Sequence, residues 1–368
     1  MNNHKKKRTR RKERQKIELN MMDRKIITLC LLFWVVAGNA QTSKTRINGY
    51  GHIDFTYEQE NGASNAFMNI GEHDLFITST FTKNISFLSE MVVKPSSGSS
   101  LGFVPAIERA RIKFRYFKNH SIIVGRMHTP VSYWNDVYHH GRVFFPTIDR
   151  PLAFSYFTPI HVIGLRLQGQ NLGKLNFGYD VVIGNTTTTG LIFDNSTAPS
   201  VTVAAHIKPK DQMRIGFGLF HENYEHEDLS GHSHSHGSNM PSEKTGFSLI
   251  NFSFANFGEK VHVLNEFSMN ITNTDSLGLA ENFSNYIYLG IPIKERFIPF
   301  IGFDFLSVDD SDLLNMGQFR SKYILGYRHE FTPLINIKTQ VEYYDNNISH
   351  MAREESKLEF KIQVAYGF

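Results

Sequence analysis

The sequence has one cysteine, and it has no apolar run long enough to cross a membrane as a helix. A transmembrane helix needs about 20 consecutive apolar residues, whereas the run at 26–36 is much shorter. The cysteine, Cys30, lies inside that run and follows Leu29, which is too large to precede a lipidated cysteine. Without this segment the chain contains no thiol, which excludes disulfides and cysteine metal sites.

The first 40 residues are predicted to be absent from the mature protein. Arg24 and Lys25 precede the apolar run, and Ala37-Gly38-Asn39-Ala40 follows it, which is the order of a secretory signal cleaved after Ala40. We therefore predict a signal peptide at 21–40 and a mature domain at 41–368. The basic extension at 1–20 could be a nucleic-acid arm, but we interpret it as an over-extended start before Met21 or Met22, and no nucleic-acid partner is expected.

Charge changes sign when this segment is removed. The whole chain has 39 Lys or Arg and 35 Asp or Glu. Residues 1–40 hold 11 of the basic and three of the acidic side chains, so the mature chain has 28 and 32, a net charge of −4. The precursor's basic balance therefore indicates no anionic partner.

Period-two alternation dominates the mature sequence and predicts strands. The last eleven residues show it best, because Leu358, Phe360, Ile362, Val364, Tyr366 and Phe368 share one face and polar or small residues share the other. A strand that is apolar outside and polar inside suits a wall between lipid and water. Sixteen segments are predicted as strands: 47–57, 75–81, 87–93, 110–116, 122–127, 162–167, 175–183, 201–207, 213–220, 247–254, 261–271, 286–291, 297–305, 323–331, 337–344 and 358–368.

The connections between these segments are predicted to alternate in length. Short turns are expected near 83–84, 118–119, 171–173, 210–211, 257–258, 294–295 and 332–333. Longer polar stretches are expected at 58–66, 95–104, 129–157, 184–199, 221–245, 272–283, 306–319 and 345–357. This asymmetry is typical of an outer-membrane barrel. We therefore predict an all-β fold: a closed antiparallel transmembrane barrel of about 16 strands, with short periplasmic turns and long extracellular loops.

Basic residues alternate along the fourth predicted strand. With Ala110, Ile112, Phe114 and Tyr116 facing lipid, Arg109, Arg111, Lys113 and Arg115 would form a column inside the barrel, and Arg126 on the next strand is assigned the same parity. Such a column could draw anions through a pore. Alternatively, the cations could pair with inward acids such as Glu90 or Asp74 and only hold the wall together.

The third loop, 129–157, is unusually apolar for a solvated segment. It contains eight aromatic residues and three prolines, so it is expected to pack inside the barrel or against a neighbouring subunit. Folding inward would bring charged and imidazole side chains to the narrowest point. The candidates for this constriction are Asp136, His139, His140, Arg142, Asp149 and Arg150.

Three features carry a family resemblance: the long third loop, the preceding Gly125-Arg126-Met127-His128-Thr129-Pro130 and the following Asp149-Arg150-Pro151. The chain resembles sixteen-stranded porins of the phosphate-selective type and their relatives. The resemblance implies a passive, often trimeric diffusion channel for small hydrophilic solutes in the cell outer membrane, without catalysis or cofactor. The loop lacks a lysine cluster and includes two acids, which departs from a phosphate-selective pattern. The terminal strand likewise resembles closing strands whose last aromatic residue, here Phe368 with Tyr366, signals to the barrel-assembly machinery.

Two further motifs lie in predicted loops. His232, His234 and His236, near several acids, could capture a transition metal, or they could only keep an exposed loop soluble. A surface binding or adhesion barrel with a plugged lumen is therefore the alternative function.

Gly98-Ser99-Ser100-Leu101-Gly102 matches a hydrolase nucleophile pattern, but that pattern needs a strand, a sharp turn and a helix. The predicted loop context does not fit this pattern, and the His, Ser and Asp residues show no catalytic spacing. A barrel-embedded hydrolase stays an open alternative, but no enzyme activity is expected.

Overall fold

The computed structural model describes residues 44–96, 102–139, 141–186, 199–225, 244–294, 296–312, 317–348 and 353–368. Within these ranges no helix is long and apolar enough to cross a membrane. Sixteen strands account for most of the described chain: β1 Lys44–Glu60, β2 Ala63–Thr82, β3 Ile85–Pro95, β4 Phe103–Phe117, β5 His120–His128, β6 His161–Leu172, β7 Phe177–Thr186, β8 Ser200–Lys210, β9 Met213–Glu225, β10 Lys244–Phe257, β11 His262–Thr274, β12 Gly278–Gly290, β13 Phe297–Val308, β14 Gln318–Thr332, β15 Ile335–Ile348 and β16 Arg353–Gly367.

Each strand pairs with its neighbours in sequence, and β16 pairs antiparallel with β1 to close the barrel. The closing register runs from Tyr50 opposite Gly367 to Glu60 opposite Lys357. Closure gives every strand two partners, which is how a sheet satisfies its backbone groups in hydrocarbon. The predicted fold class and the sixteen strands are confirmed.

The alternation of side chains separates an apolar outer wall from a polar interior. On β16, Leu358 and Val364 are exposed, whereas Glu359, Gln363 and Ala365 are buried. Large exposed apolar residues recur around the barrel, for example Ile112, Leu219, Ile301 and Leu325. In a membrane these surfaces contact hydrocarbon rather than water.

The predicted asymmetry of the connections holds only in part. Two stretches expected to be long loops are tight turns, because β2 begins directly after Asn61-Gly62 and β12 begins after residue 277. Asn61 and Gly62 both have positive φ, 50° and 82°, as the two-residue hairpin turn preferred by Asn-Gly requires. The expectations of long connections at 58–66 and 272–283 were therefore wrong, since the adjoining strands extend through those segments.

The predicted third loop connects β5 to β6 and is the longest connection that the structure describes in detail. It contains a π-helical turn at Trp134–Tyr138, a 3-10 turn at Arg142–Phe144 and a short helix α1 at Leu152–Tyr156. Because β5 ends at His128 and β6 begins at His161, the third loop extends from 129 to 160, three residues beyond its predicted end at 157. The loop lies inside the barrel, where it contributes to two apolar clusters that also contain wall residues of β9 to β14.

Candidate functional site

Glu266 on β11 holds the start of the third loop. Its buried carboxylate accepts hydrogen bonds from the backbone N–H groups of Tyr133, at 2.7 Å, and Trp134, at 3.2 Å. These are donors at the beginning of a helical turn, which have no partner within the turn itself. The wall therefore supplies the acceptor for these two donors, while the loop's own Ser132 hydroxyl accepts from the Asn135 N–H at 3.2 Å.

Trp134 is the centre of the apolar contact between loop and wall. Its side chain is fully buried, with ring centroids 5.0 Å from Phe145 and 5.7 Å from Tyr286 on β12, both edge to face. Burying an aromatic ring removes a large apolar area from water. The loop backbone at Val131 also packs directly against β9 at Gly218. Only glycine fits there, because a Cβ added at Gly218 would lie 2.0 Å from the Val131 carbonyl oxygen.

Side chains of β14 and β15 satisfy carbonyl groups of the loop. Arg328 donates to the Phe145 carbonyl at 3.2 Å, and Asn336 donates to the Val143 carbonyl at 2.5 Å. The fully buried Lys338 donates to the carbonyls of Arg142 and Thr147, at 2.6 and 3.2 Å. Loops are rarely buried because their backbone groups need partners, and here the inward face of the sheet supplies those partners.

Ion pairs attach the later part of the loop to both sides of the barrel seam. Asp149 accepts from Lys361 on β16 at 2.6 Å, and Arg150 donates to Glu72 on β2 at 3.2 Å. Burial disfavours the ionised Asp149, but Lys361 and Lys322 outweigh it, so the pKa of Asp149 is lowered. These two predicted constriction residues therefore anchor the loop.

Asp136 faces the opposite side of the lumen. Its carboxylate accepts from Arg214 on β9 at 2.8 Å and from Arg166 on β6 at 3.4 Å. Burial would raise the pKa of this carboxyl, but the guanidinium groups of Arg214 and Arg166 lower it to about 2. Asp136 therefore carries its charge at neutral pH and ties the loop to the wall.

An opening remains between the loop and the wall strands β4 to β6. Its volume is about 100 Å³, and it is lined by Arg109, Arg111, His128, Asp136, Arg166 and Gln168. Every one of these side chains is polar. The opening is therefore suited to water and hydrophilic solutes, and its cations outnumber its single acid.

The basic column divides into paired and unpaired members. Arg109 forms an ion pair with the buried Glu90, so at this position the wall-structure alternative holds. Lys113 donates to the neutral amide oxygen of Gln168 at 2.8 Å. In the described part of the chain, the side chains of Arg111 and Arg115 have neither a hydrogen bond nor an ion pair.

Arg126 does not belong to the column. The register places it opposite Ala110 on β4 and Ile163 on β6. Residues opposite one another share a face, and Ala110 alternates with the inward Arg111. The assignment of Arg126 to the lumen was therefore wrong, because the parity count did not allow for the β4–β5 register. Its guanidinium instead donates to the Glu108 carbonyl at 3.2 Å.

Two more residues of the predicted constriction, Arg142 and His139, make contacts within the loop or at its base. Arg142 donates to the Ile148 carbonyl at 2.6 Å and braces the loop internally, and His139 is buried beside His128 and His161. The predictions for His140, for Ser100 of the hydrolase-like motif and for His232, His234 and His236 concern residues outside the described ranges. Arg214, Glu266 and Lys338 could not be singled out from the sequence, because inward polar residues recur on every strand.

No family model matches the sequence, and no curated protein matches it. Solved structures do match. An anion-selective porin from Comamonas acidovorans is 11% identical and aligns over 89% of this chain and 100% of its own, with a TM-score of 0.65. The chain has the fold of the outer-membrane porins. The outer-membrane channel DcaP of Acinetobacter baumannii is 13% identical and aligns over 89% of this chain and 98% of its own, with a TM-score of 0.62. OmpT of Vibrio cholerae in its trimer form is 8% identical and aligns over 88% of this chain and 99% of its own, with a TM-score of 0.58.

Proposed function

We propose that the chain is a passive outer-membrane channel for small hydrophilic solutes, with a modest preference for anions. The barrel lies in the outer membrane, where its apolar wall contacts lipid and its long loops face outward. Solutes pass through the polar opening beside the third loop. The observation that carries the proposal is the set of lumen cations without carboxylate partners at Arg111, Lys113 and Arg115.

Selectivity depends on the charges that line the path rather than on the net charge of the chain. Fixed charges act over about a Debye length, roughly 8 Å at physiological salt. Asp136 lines the opening, but Arg166 and Arg214 both contact it. Arg109 is likewise compensated by Glu90. The uncompensated charge along the path is therefore positive, and a passing anion gains from it.

The test is the reversal potential of the purified protein in a planar bilayer with a salt gradient. We expect the sign that corresponds to anion preference, and we expect the preference to weaken at high salt. The double variant Arg111→Ala with Lys113→Ala should move the reversal potential towards zero. Arg126→Ala is the matched control, because it removes a cation from the neighbouring strand on the opposite face and should change nothing.

A cation-selective wild type would contradict the anion preference, as would a double variant that keeps the wild-type reversal potential. In either case the column would serve only the wall structure.

A plugged barrel that binds or adheres at the surface is the second candidate. It is favoured by the breadth of the loop's attachment, since the loop contacts β2 and β6 as well as β9 and strands from β11 to β16. Conductance separates the two functions. Steady current through the wild type supports the channel, whereas the absence of current in a folded, inserted protein supports the plugged binder.

Assembly as a homotrimer is part of the proposal. It is supported by the trimer form described for the structurally similar OmpT of Vibrio cholerae. Mass measurement of the detergent-solubilised native protein tests it, and a monomer would contradict it. The proposal includes no catalytic step and no nucleic-acid partner.

A further inference from the structure

Three histidines meet where the third loop leaves and re-enters the wall. His128 is the last residue of β5, His161 is the first residue of β6, and the register places them directly opposite one another. His139, just after the π-helical turn, folds back onto this pair. The ring centroids of His128 and His139 are 3.6 Å apart, and His161 is 5.3 Å from each.

The imidazole nitrogens converge as metal ligands do. One nitrogen from each ring can be chosen so that all three lie within 4.8 Å of one another, and no other such group of His, Cys, Asp or Glu occurs in the described ranges. His128 and His139 are buried, with 6% exposure each. Three histidines are a common ligand set for zinc, with the fourth position left to water.

The surroundings orient His139 for this role. The Asn135 amide nitrogen donates to the carbonyls of Thr129 and Ile160, both at 2.9 Å. Because carbonyls only accept, the amide oxygen must face His139, whose Nδ1 lies 2.8 Å away. That nitrogen therefore carries the proton, and Nε2 keeps a lone pair for a metal.

Two buried carboxylates lie beside the other rings. Glu108 Oε2 is 2.5 Å from His161 Nε2, and Glu90 Oε2 is 3.9 Å from His128 Nε2. Carboxylates next to ligating imidazoles raise their basicity and fix their orientation. Lys94 and Arg109 also contact these acids, so the pocket is close to electrically balanced before a cation enters.

We propose that His128, His139 and His161 bind one divalent transition-metal ion of the Zn²⁺ class. The ion joins the third loop to β5 and β6 at the edge of the lumen opening, which His128 also lines. Imidazole ligands suit Zn²⁺, Cu²⁺ and Ni²⁺ better than Mg²⁺ or Ca²⁺. This site uses none of the histidines at 232–236, and it does not depend on the proposed channel function.

The experiment is a calorimetric titration of Zn²⁺ into the detergent-folded full chain. His226, His232, His234 and His236 are first replaced by serine, so that this segment contributes no binding. We expect this background protein to take up one Zn²⁺ per chain. His139→Gln and His161→Gln, each introduced separately, should weaken binding by at least about 10-fold, the lower end for changes around a metal site.

His262→Gln on β11 is the matched control and should bind as the background does. Heat-modifiable migration on a gel establishes that each variant is folded. If a variant does not fold, Co²⁺ added to the background protein decides the question: visible d–d absorption bands that Zn²⁺ abolishes support the site. A background without stoichiometric uptake or Co²⁺ bands overturns the proposal, as does unchanged affinity in folded His139→Gln and His161→Gln.

Discussion

Lys361 on β16 donates to Asp149 of the third loop across 2.6 Å, and the same ammonium group contacts Glu342, at 2.8 Å, and Glu359, at 2.5 Å. Glu342 and Glu359 are buried wall residues. One cation therefore holds three carboxylates, of which only one belongs to the loop. The loop is attached to a charge network that the barrel already contains.

The stability of the barrel should depend more on Lys361 than on Asp149. Lys361→Met removes the ammonium group that Asp149, Glu342 and Glu359 share. Lys322 still contacts Glu342 and Lys357 still contacts Glu359, so we expect a cost towards the lower end of the about 3–5 kcal/mol that is typical of breaking a buried ion pair. Asp149→Asn should cost much less, because Lys361 keeps Glu342 and Glu359. Urea unfolding of the detergent-folded protein measures both. Equal losses would show that the pair with Asp149 dominates the network.

The attachment of Asp136 should be sensitive to acid. The pKa of this carboxyl is about 2, below its ordinary value of 3.8, because Arg214 and Arg166 outweigh the effect of burial. A lowered pKa contributes stability that is fully present above the unfolded value and is lost as the pH falls through the folded value. Between about pH 4 and pH 2 the loop should therefore loosen.

Single-channel recording across this range should show increasing current noise. Asp136→Asn should remove the dependence on pH, whereas Asp275→Asn, in the turn after β11, should keep the wild-type profile. A wild-type current that stays steady down to about pH 2 would contradict the prediction.

Trp134 should be the most sensitive apolar position of the loop. Trp134→Ala removes a fully buried ring, and such changes typically cost about 3–5 kcal/mol. The freed loop should also enlarge the opening and raise conductance. Val137→Ala is the control, because Val137 lies in the same turn with its side chain 46% exposed. Similar unfolding midpoints for the two variants would disprove the anchoring role.

Deleting Phe368 should affect assembly more than the stability of the finished barrel. Its backbone exchanges hydrogen bonds with Gly49, at 3.0 and 3.1 Å, but its side chain is 69% exposed. We therefore expect less protein in the outer membrane of cells, with a nearly unchanged unfolding midpoint after refolding in detergent. Normal insertion in cells would contradict the role of Phe368 as an assembly signal.

The sequence by itself determined the wall. The alternation of apolar and polar residues is a local property with a period of two, so sixteen strands could be located without knowing their partners. The tight turns were harder to recognise in the sequence than the strands. The Asn61-Gly62 hairpin was hidden in a polar stretch, because polar residues also continue along strands that extend beyond the bilayer.

Tertiary structure alone decided the interior. Which cations are compensated depends on pairs far apart in sequence, such as Arg214 with Asp136, and on the register that turns Arg126 away from Arg111. The convergence of His128, His139 and His161 likewise requires the loop to fold back onto its own base. Composition shows that the loop must pack somewhere, but only the shape of the closed barrel determines which wall residues it contacts, because those contacts join distant strands.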